Sequence, residues 1–458
     1  MQDLATGPVT RHLLKTTSFM LVGMVFQTLY VLVDLYWVGQ LGTEAVAAVG
    51  LSGNLMFVVL AVSQMLGVGA TTLVSHAAGR KDTQRATLVF NQAQVLSMTA
   101  GLAFFALAMA GRSAYAAALS ADRATAAAAE AYLFWLVPGF ALQFAIVAMG
   151  SALRGIGDFK PGMIVQSGAV ILNMILSPIL IFGWGTGRPM GVAGASLGTL
   201  LSIAVGTVWI TTYFRGHHAF LRFDRALWRP RLATWREMLA IGLPAGAEFF
   251  LMSIYLVIVY VVIRPFGAAA QAGFGIGMRV VQSGFLPVVA LGFAVAPVAG
   301  QNVGARLPGR VIQTFRAAAL MASAAMLAFV GLAHLSPAAL VAFFSDDPGA
   351  IAVGAEYLRI ISWNFVASGL IFVSSSMFQA MGHTLPSLLT SSVRIVLFAV
   401  PVFMMSRRPD FALAWIWYTA VASVTLQMAL NLVLLEREFR GRLGVSLVAS
   451  MSESDVRT

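Results

Sequence analysis

The chain has 458 residues, of which 59% are hydrophobic and 10% are charged, and its mean hydropathy is +0.84. A soluble domain of this composition would lack the polar surface that keeps a protein in water, so the composition indicates a polytopic membrane protein. The net charge of +11 does not predict a nucleic-acid partner, because the basic residues are spread over many loops. The absence of cysteine excludes a disulfide framework and thiolate metal sites.

The apolar segments, taken in chain order, are about 20–28 residues long. A helix of that length crosses a hydrocarbon core of about 30 Å, whereas a transmembrane β-strand has only about 10 residues of alternating polarity. We therefore predict an all-α polytopic membrane protein with twelve transmembrane helices. The first segment is too long for a cleaved signal peptide, so we expect it to be retained. The predicted spans are 13–38, 47–73, 87–110, 128–152, 161–183, 190–214, 236–263, 270–299, 312–335, 353–379, 385–405 and 411–435.

The charges in the loops predict the topology. Lysine and arginine concentrate in the loops after the second, fourth, sixth, eighth and twelfth predicted helices. The alternate loops hold Glu44, Asp346 and Asp347, with Arg407 and Arg408 as the main exception. By the positive-inside rule, both termini are cytoplasmic and the protein is a multi-pass protein of the cell (inner) membrane.

The sequence matches itself when it is shifted by 225 residues, and many of the matched residues lie in turns that apolar composition alone would not align. We predict an N-terminal six-helix half (1–214), a basic cytoplasmic linker (215–235), a C-terminal six-helix half (236–436) and a cytoplasmic tail (437–458). Because each half has an even number of helices, a pseudo-two-fold axis along the membrane normal relates them, as in transporters. The matched pairs include Tyr30/Tyr255, Gly42/Gly267, Arg85/Arg310, Tyr132/Tyr357 and Gly157/Gly382.

The first predicted helix carries a stripe of polar and aromatic residues. Gln27, Tyr30, Asp34 and Trp37 recur at spacings of three and four, so they share one helix face. A carboxylate at membrane depth costs roughly 2.5–3.5 kcal/mol on insertion scales, and such residues are usually functional. The structural alternative, an ion pair with a neighbouring cation, finds no suitable lysine or arginine near Asp34 in the sequence. We therefore predict that Asp34 binds the substrate or the coupling ion.

Several short motifs carry a family resemblance over the whole chain. The stretch from Val33 to Gly39, followed by Leu41 and Gly42, resembles the first-helix signature of the multidrug and toxic compound extrusion (MATE) family. Gly79-Arg80, Gly155 to Asp158 with Pro161, and Gly191 to Ala195 are similar to the family pattern too. The resemblance implies a secondary antiporter that exports amphipathic, cationic organic compounds in exchange for H+ or Na+. Within the family it resembles the bacterial DinF-like branch, which implies that Asp34 is the essential aspartate.

The chain departs from the family pattern in its fifth predicted helix. Some members carry an acid near the first-helix aspartate, where this chain has Ser177, four residues after Asn173. Hard cations prefer several oxygen ligands with at least one charge, so the departure favours H+ over Na+ as the coupling ion. Thr199 resembles a hydroxyl that lies near the same cluster. We predict that Asp34, Asn173, Ser177 and Thr199 form one polar cluster; the alternative is that the small polar residues only pack helices together.

The second half contains its own acid, Glu248, about 18 Å along the seventh helix and therefore near the membrane midplane. The family resemblance implies a functional glutamate one turn later, where Met252 stands, so Glu248 is a candidate coupling or binding residue. The alternative is an ion pair with Arg279 or Arg394. The histidines show no metal-ligand spacing, and we predict no cofactor beyond the coupling ion.

Other function classes are less well supported. No GxxxxGK[ST] phosphate loop is present, so ATP hydrolysis within this chain is excluded as the energy source. A membrane-embedded enzyme would need a nucleophile–base or metal constellation, and we predict that the protein is not an enzyme. A lipid-linked oligosaccharide or lipid II flippase remains the alternative, although it would need more cavity cations. We expect a monomer whose partners are organic cations and membrane lipids.

Overall fold

The computed structural model describes residues 2–185, 187–217 and 220–446. In this part of the chain twelve helices are long and apolar enough to cross a membrane, and no residue lies in a β-strand, which confirms the predicted all-α class. The predicted tail, 437–458, lies partly outside the described residues. The helices are α1 (Val9–Gly39), α2 (Thr43–Gly79), α3 (Thr83–Leu119), α4 (Arg123–Gly155), α5 (Lys160–Phe182), α6 (Val192–His217), α7 (Leu232–Ile263), α8 (Ala268–Gly304), α9 (Pro308–Leu335), α10 (Pro337–Ala342), α11 (Pro348–Ile361), α12 (Phe365–Ala380), α13 (Leu385–Met405) and α14 (Leu413–Glu438).

Most helices extend beyond the predicted apolar spans, and polar side chains cap some of the extended ends. Asp82 accepts a hydrogen bond from the Arg85 backbone N–H (2.9 Å) at the start of α3, and Asp122 accepts one from Thr125 (2.8 Å) at the start of α4. Thr125 donates to Asp122 from its backbone N–H and from its hydroxyl, and these bonds hold the pKa of Asp122 below its ordinary value. One predicted span is divided: α11 and α12 are joined by a short 3-10 turn at Ser362–Asn364.

The 225-residue repeat recurs in the backbone. Positive φ angles, which only glycine adopts without strain, occur at equivalent positions of the two halves. Even the two non-glycine examples, Lys81 and Arg306, are a repeat pair with φ of 59° and 58°. These turns support the internal duplication that the sequence indicates. The glycine pairs are Gly42/Gly267 (108° and 89°) and Gly157/Gly382 (80° and 72°).

The described part of the first compact unit comprises Gln2–Asp3 and Ser18–Gly246. Within it α4 packs against α2, α3 and α6, and α5 packs against α6. The contact between α5 and α6 is close because α6 presents two glycines, Gly194 and Gly198, to α5. A Cβ on Gly194 would lie 2.6 Å from the Leu180 carbonyl, and one on Gly198 would lie 3.2 Å from the Ser177 hydroxyl. Small residues on α6 therefore bring its side chains within hydrogen-bonding reach of α5.

Residues 220–231, which lie between the two sequence halves, pack along the N-terminal part of α3 in the first unit. Two fully buried amides bind it: Asn91 accepts hydrogen bonds from the Asp224 backbone N–H and the Trp228 indole, each at 3.0 Å. Gln92 donates to the Leu227 carbonyl (2.6 Å) and accepts from the Arg231 N–H (2.8 Å). Residues 220–231 are thus held by side chains that satisfy their backbone groups.

The second compact unit comprises Leu4–Thr17 and the described chain from Ala247 to Ser446. Its centre is α8, which packs against α9, α11 and α12. Aromatic side chains fill the core; the Phe274 ring stacks on Trp417 with centroids 5.5 Å apart. The N-terminal segment joins this unit because Gln301 accepts a hydrogen bond from the Leu4 N–H (2.9 Å) and Arg310 donates to the Gly7 carbonyl (2.9 Å).

Candidate coupling and substrate-binding site

The predicted stripe on α1 faces α5 and α6 within the first unit. At one end Gln27 accepts a hydrogen bond from Gln166 of α5 (3.1 Å). Tyr30 shares a hydrogen bond with Thr199 of α6 (3.1 Å). At the other end Trp37 packs edge-on against Phe182 at the end of α5, with ring centroids 6.0 Å apart. The spacing of three and four residues therefore places all of these side chains on one contact face.

Tyr30, Thr199, Asn173 and Ser177 form a continuous hydrogen-bonded group, which we call the Thr199 cluster. The Asn173 amide donates to the Thr199 hydroxyl (3.2 Å), and the Ser177 hydroxyl donates to the Asn173 carbonyl oxygen (3.3 Å). Thr199 donates its single proton to the Ala195 carbonyl (3.2 Å), so Tyr30 is the donor in the bond that it shares with Thr199. The three α5 and α6 side chains are buried.

Asp34 lies one turn beyond Tyr30 on α1 and is 7% exposed. Its Oδ1 has no hydrogen-bond partner among the described residues. The Tyr30 proton is directed toward Thr199, so the hydrogen bonds of the Thr199 cluster do not extend to the carboxylate. Of the four residues that we predict to form one polar cluster, Asn173, Ser177 and Thr199 are joined by hydrogen bonds, and none of them donates to Asp34 Oδ1 in the part of the chain that the structure describes. Asp34 is a buried, unsatisfied acceptor beside a polar cluster.

The sequence argument missed one neighbour of Asp34. Tyr132 of α4 is buried, lies close to Ser52 of α2 and is within electrostatic range of both Asp34 and Tyr30. The repeat matches Tyr132 with Tyr357, but no pattern in the sequence indicated that Tyr132 of α4 lies near α1. Two phenol side chains from different helices are therefore within electrostatic range of Asp34.

The equivalent positions in the second unit are apolar. The 225-residue shift places Val259 at the position of Asp34 and Phe398 at the position of Asn173, and both are fully buried. Tyr255, the counterpart of Tyr30, packs against Phe398 with ring centroids 4.9 Å apart. The buried carboxylate and its polar cluster thus belong to the first unit alone among these repeat positions.

Glu248 has different surroundings. It lies partly buried on α7, close to Ser387 of α13 and within electrostatic range of Arg394. The Ser387 hydroxyl shares a hydrogen bond with Ser375 of α12 (2.5 Å). Of the two predicted arginine partners, Arg394 is nearby without a direct ion pair in the described residues, whereas Arg279 is exposed. A coupling role for Glu248 stays a prediction.

A family model matches both halves of the internal repeat. The family model MatE matches residues 20–179 and 244–405, two segments in the register of the 225-residue shift. The chain belongs to the MATE family of transporters. The DinF-like branch stays a prediction.

Curated relatives cover nearly the whole chain at low identity. A probable multidrug resistance protein NorM of Thermotoga maritima is 25% identical over 93% of this chain and 92% of its own length. An FAD transporter of Shewanella oneidensis is 24% identical over 87% and 88%. A solved structure of a MOP superfamily transporter from Pyrococcus furiosus superposes with a TM-score of 0.88 at 23% identity, covering 97% and 98% of the two chains. The relatives are named as transporters, so the flippase alternative is not favoured.

Proposed function

We propose that this MATE family member is a proton-coupled antiporter that exports amphipathic organic cations by alternating access. The observation that carries the proposal is the buried Asp34 carboxylate with an unpartnered oxygen. A buried charge without a donor is costly, so the site favours either a proton or a bound cation on this carboxylate.

The exchange follows from this competition. When Asp34 is protonated it is neutral and its attraction for an organic cation is lost, so the cation leaves. When the proton leaves, the carboxylate again attracts a cation. One group that holds one proton or one cation, but not both, links outward cation movement to inward proton movement. The aromatic faces of Tyr30 and Trp37 on the same stripe supply additional attraction for an apolar cation.

The ligands around Asp34 support H+ over Na+. Na+ would need several oxygens directed at one point, at least one of them charged. In the first unit the Asn173 carbonyl oxygen already accepts a hydrogen bond from Ser177, and the Thr199 hydroxyl accepts one from the Asn173 amide and donates to Ala195. Ser177 stands where some relatives carry an acid. Proton binding needs none of these ligands.

The membrane arrangement of the proposal follows the loop charges. Both termini are cytoplasmic, and the transporter resides in the cell (inner) membrane as a monomer. The name of the Thermotoga maritima relative supports structurally varied organic compounds as substrates.

The test is transport by the purified protein in vesicles with imposed gradients. A pH gradient without Na+ should drive uptake or efflux of a fluorescent organic cation, and Asp34→Asn should abolish this transport. Asp346→Asn makes the same chemical change at an exposed loop carboxylate and should leave transport intact. Transport that responds only to a Na+ gradient, or that persists fully in Asp34→Asn, would refute proton coupling at this residue.

A further inference from the structure

Two helices of the second unit present matched side chains at two levels. On α7, Glu248 and Tyr255 are seven residues apart and therefore lie on one face, two turns from each other. On α13, Ser387 and Arg394 have the same spacing. Ser387 lies close to Glu248, and the Arg394 guanidinium carbon lies 4.9 Å from the centre of the Tyr255 ring. At one level a serine hydroxyl thus lies beside a carboxylate, and at the other an arginine lies against an aromatic face.

Arg394 has a buried donor that the contact between α13 and α7 does not use. Its Nε is buried and has no hydrogen-bond partner in the described chain. Glu248 is within electrostatic range but makes no direct ion pair with it there. A guanidinium has five N–H donors in a planar fork that suits oxyanions, and leaving such donors unpaired at membrane depth is costly. The contact with Tyr255 joins α13 to α7 but leaves the Nε–H donor without an acceptor, and such a donor suits an oxyanion.

We propose that Arg394, held over the Tyr255 ring, is a subsite for an oxyanion group of the exported compound, a carboxylate or a phosphate. The inference rests on the proposed function and refines its substrate class: the exported cations that bind best also carry an oxyanion. Tyr255 fixes the guanidinium plane by stacking. Glu248 balances the arginine charge while the subsite is empty.

Equilibrium binding to the purified detergent-solubilised protein tests this assignment without transport. Two probes share one cationic rhodamine scaffold; one has a free carboxylate and the other has the same group as an ethyl ester. The wild type should bind the free carboxylate more tightly, and Arg394→Ala should weaken that binding at least about tenfold while changing ester binding by less than about twofold. Arg394→Lys keeps the charge without the fork and should retain part of the preference. Inorganic phosphate and acetate, added as competitors, distinguish phosphate from carboxylate recognition.

The matched control is Arg279→Ala, which removes an exposed arginine from α8 and should leave both affinities unchanged. Glu248→Gln removes the nearby negative charge and should strengthen binding of the free-carboxylate probe. Equal losses for the two probes in Arg394→Ala, or a wild type that prefers the ester, would overturn the subsite. Transport is measured separately in vesicles. Absence of ester transport would contradict the proposed function, whereas the binding preference decides the subsite.

Discussion

The contact between α5 and α6 positions the Thr199 cluster, and replacing one glycine there should disturb it. In Gly194→Ala the new Cβ would lie 2.6 Å from the carbonyl carbon and oxygen of Leu180. Because these are backbone atoms, no side chain can move aside, and α6 must shift by roughly 1 Å to reach ordinary contact. Such overpacking typically costs about 1–3 kcal/mol, which exceeds the gain of about 1 kcal/mol from replacing a helical glycine with alanine.

The same shift would lengthen the bond of 3.2 Å between Asn173 and Thr199 beyond hydrogen-bonding distance. We expect Gly194→Ala to lower the unfolding temperature of the purified protein by roughly 2–6 °C and to reduce transport. Gly111→Ala is the matched control, because a Cβ on that glycine of α3 meets nothing within 4 Å. It should be neutral or stabilising in the same thermal assay. Identical unfolding temperatures for the two variants would refute the close-packing argument.

Three further predictions concern the site, the linker and the topology. Thr199→Val removes the hydroxyl that joins α1 to α5. Leaving the hydrogen-bond partners of this hydroxyl unsatisfied costs about 1–3 kcal/mol and should lower the transport rate; a rate equal to wild type would contradict this. Asn91→Ala removes the acceptor for the Trp228 indole, so limited proteolysis should cut residues 220–231 faster than in wild type, and unchanged cleavage would count against the anchor. A single cysteine at position 346 should react with an impermeant reagent from outside intact cells, whereas one at Lys81 should not; the reverse pattern would overturn the topology.

The class and the helix count could be predicted from the sequence because the apolar segments match the membrane thickness. The ends of the helices could not, since the helices continue past the apolar segments into polar sequence, as they do next to Asp82 and Asp122. The 3-10 turn at Ser362–Asn364 was also missed, because no proline or glycine interrupts the sequence there. The hydropathy of a segment reports its burial in the membrane and carries little information on local backbone breaks.

The site was predictable along one helix and less so between helices. The spacing of Gln27, Tyr30, Asp34 and Trp37 specified a common face. Their partners depend on packing between distant segments, which a single sequence does not encode in any local pattern. Tyr132 is the clearest case, because it approaches Asp34 from α4. The direction of the Tyr30 hydroxyl, which leaves Asp34 unsatisfied, likewise required the hydrogen bonds of Thr199.

The central claim is that Asp34 holds either a proton or a cation, and proton release on binding tests it most directly. A permanently charged phosphonium cation carries no proton of its own, so any proton that appears in a weakly buffered solution comes from the protein. Linkage predicts release of about one proton per cation bound under acidic conditions, falling toward zero as the pH rises and Asp34 becomes ionised before binding. Asp34→Asn should release none, and Asp346→Asn should match the wild type. Equal proton release by wild type and Asp34→Asn, or cation binding without any release at acidic pH, would contradict the account.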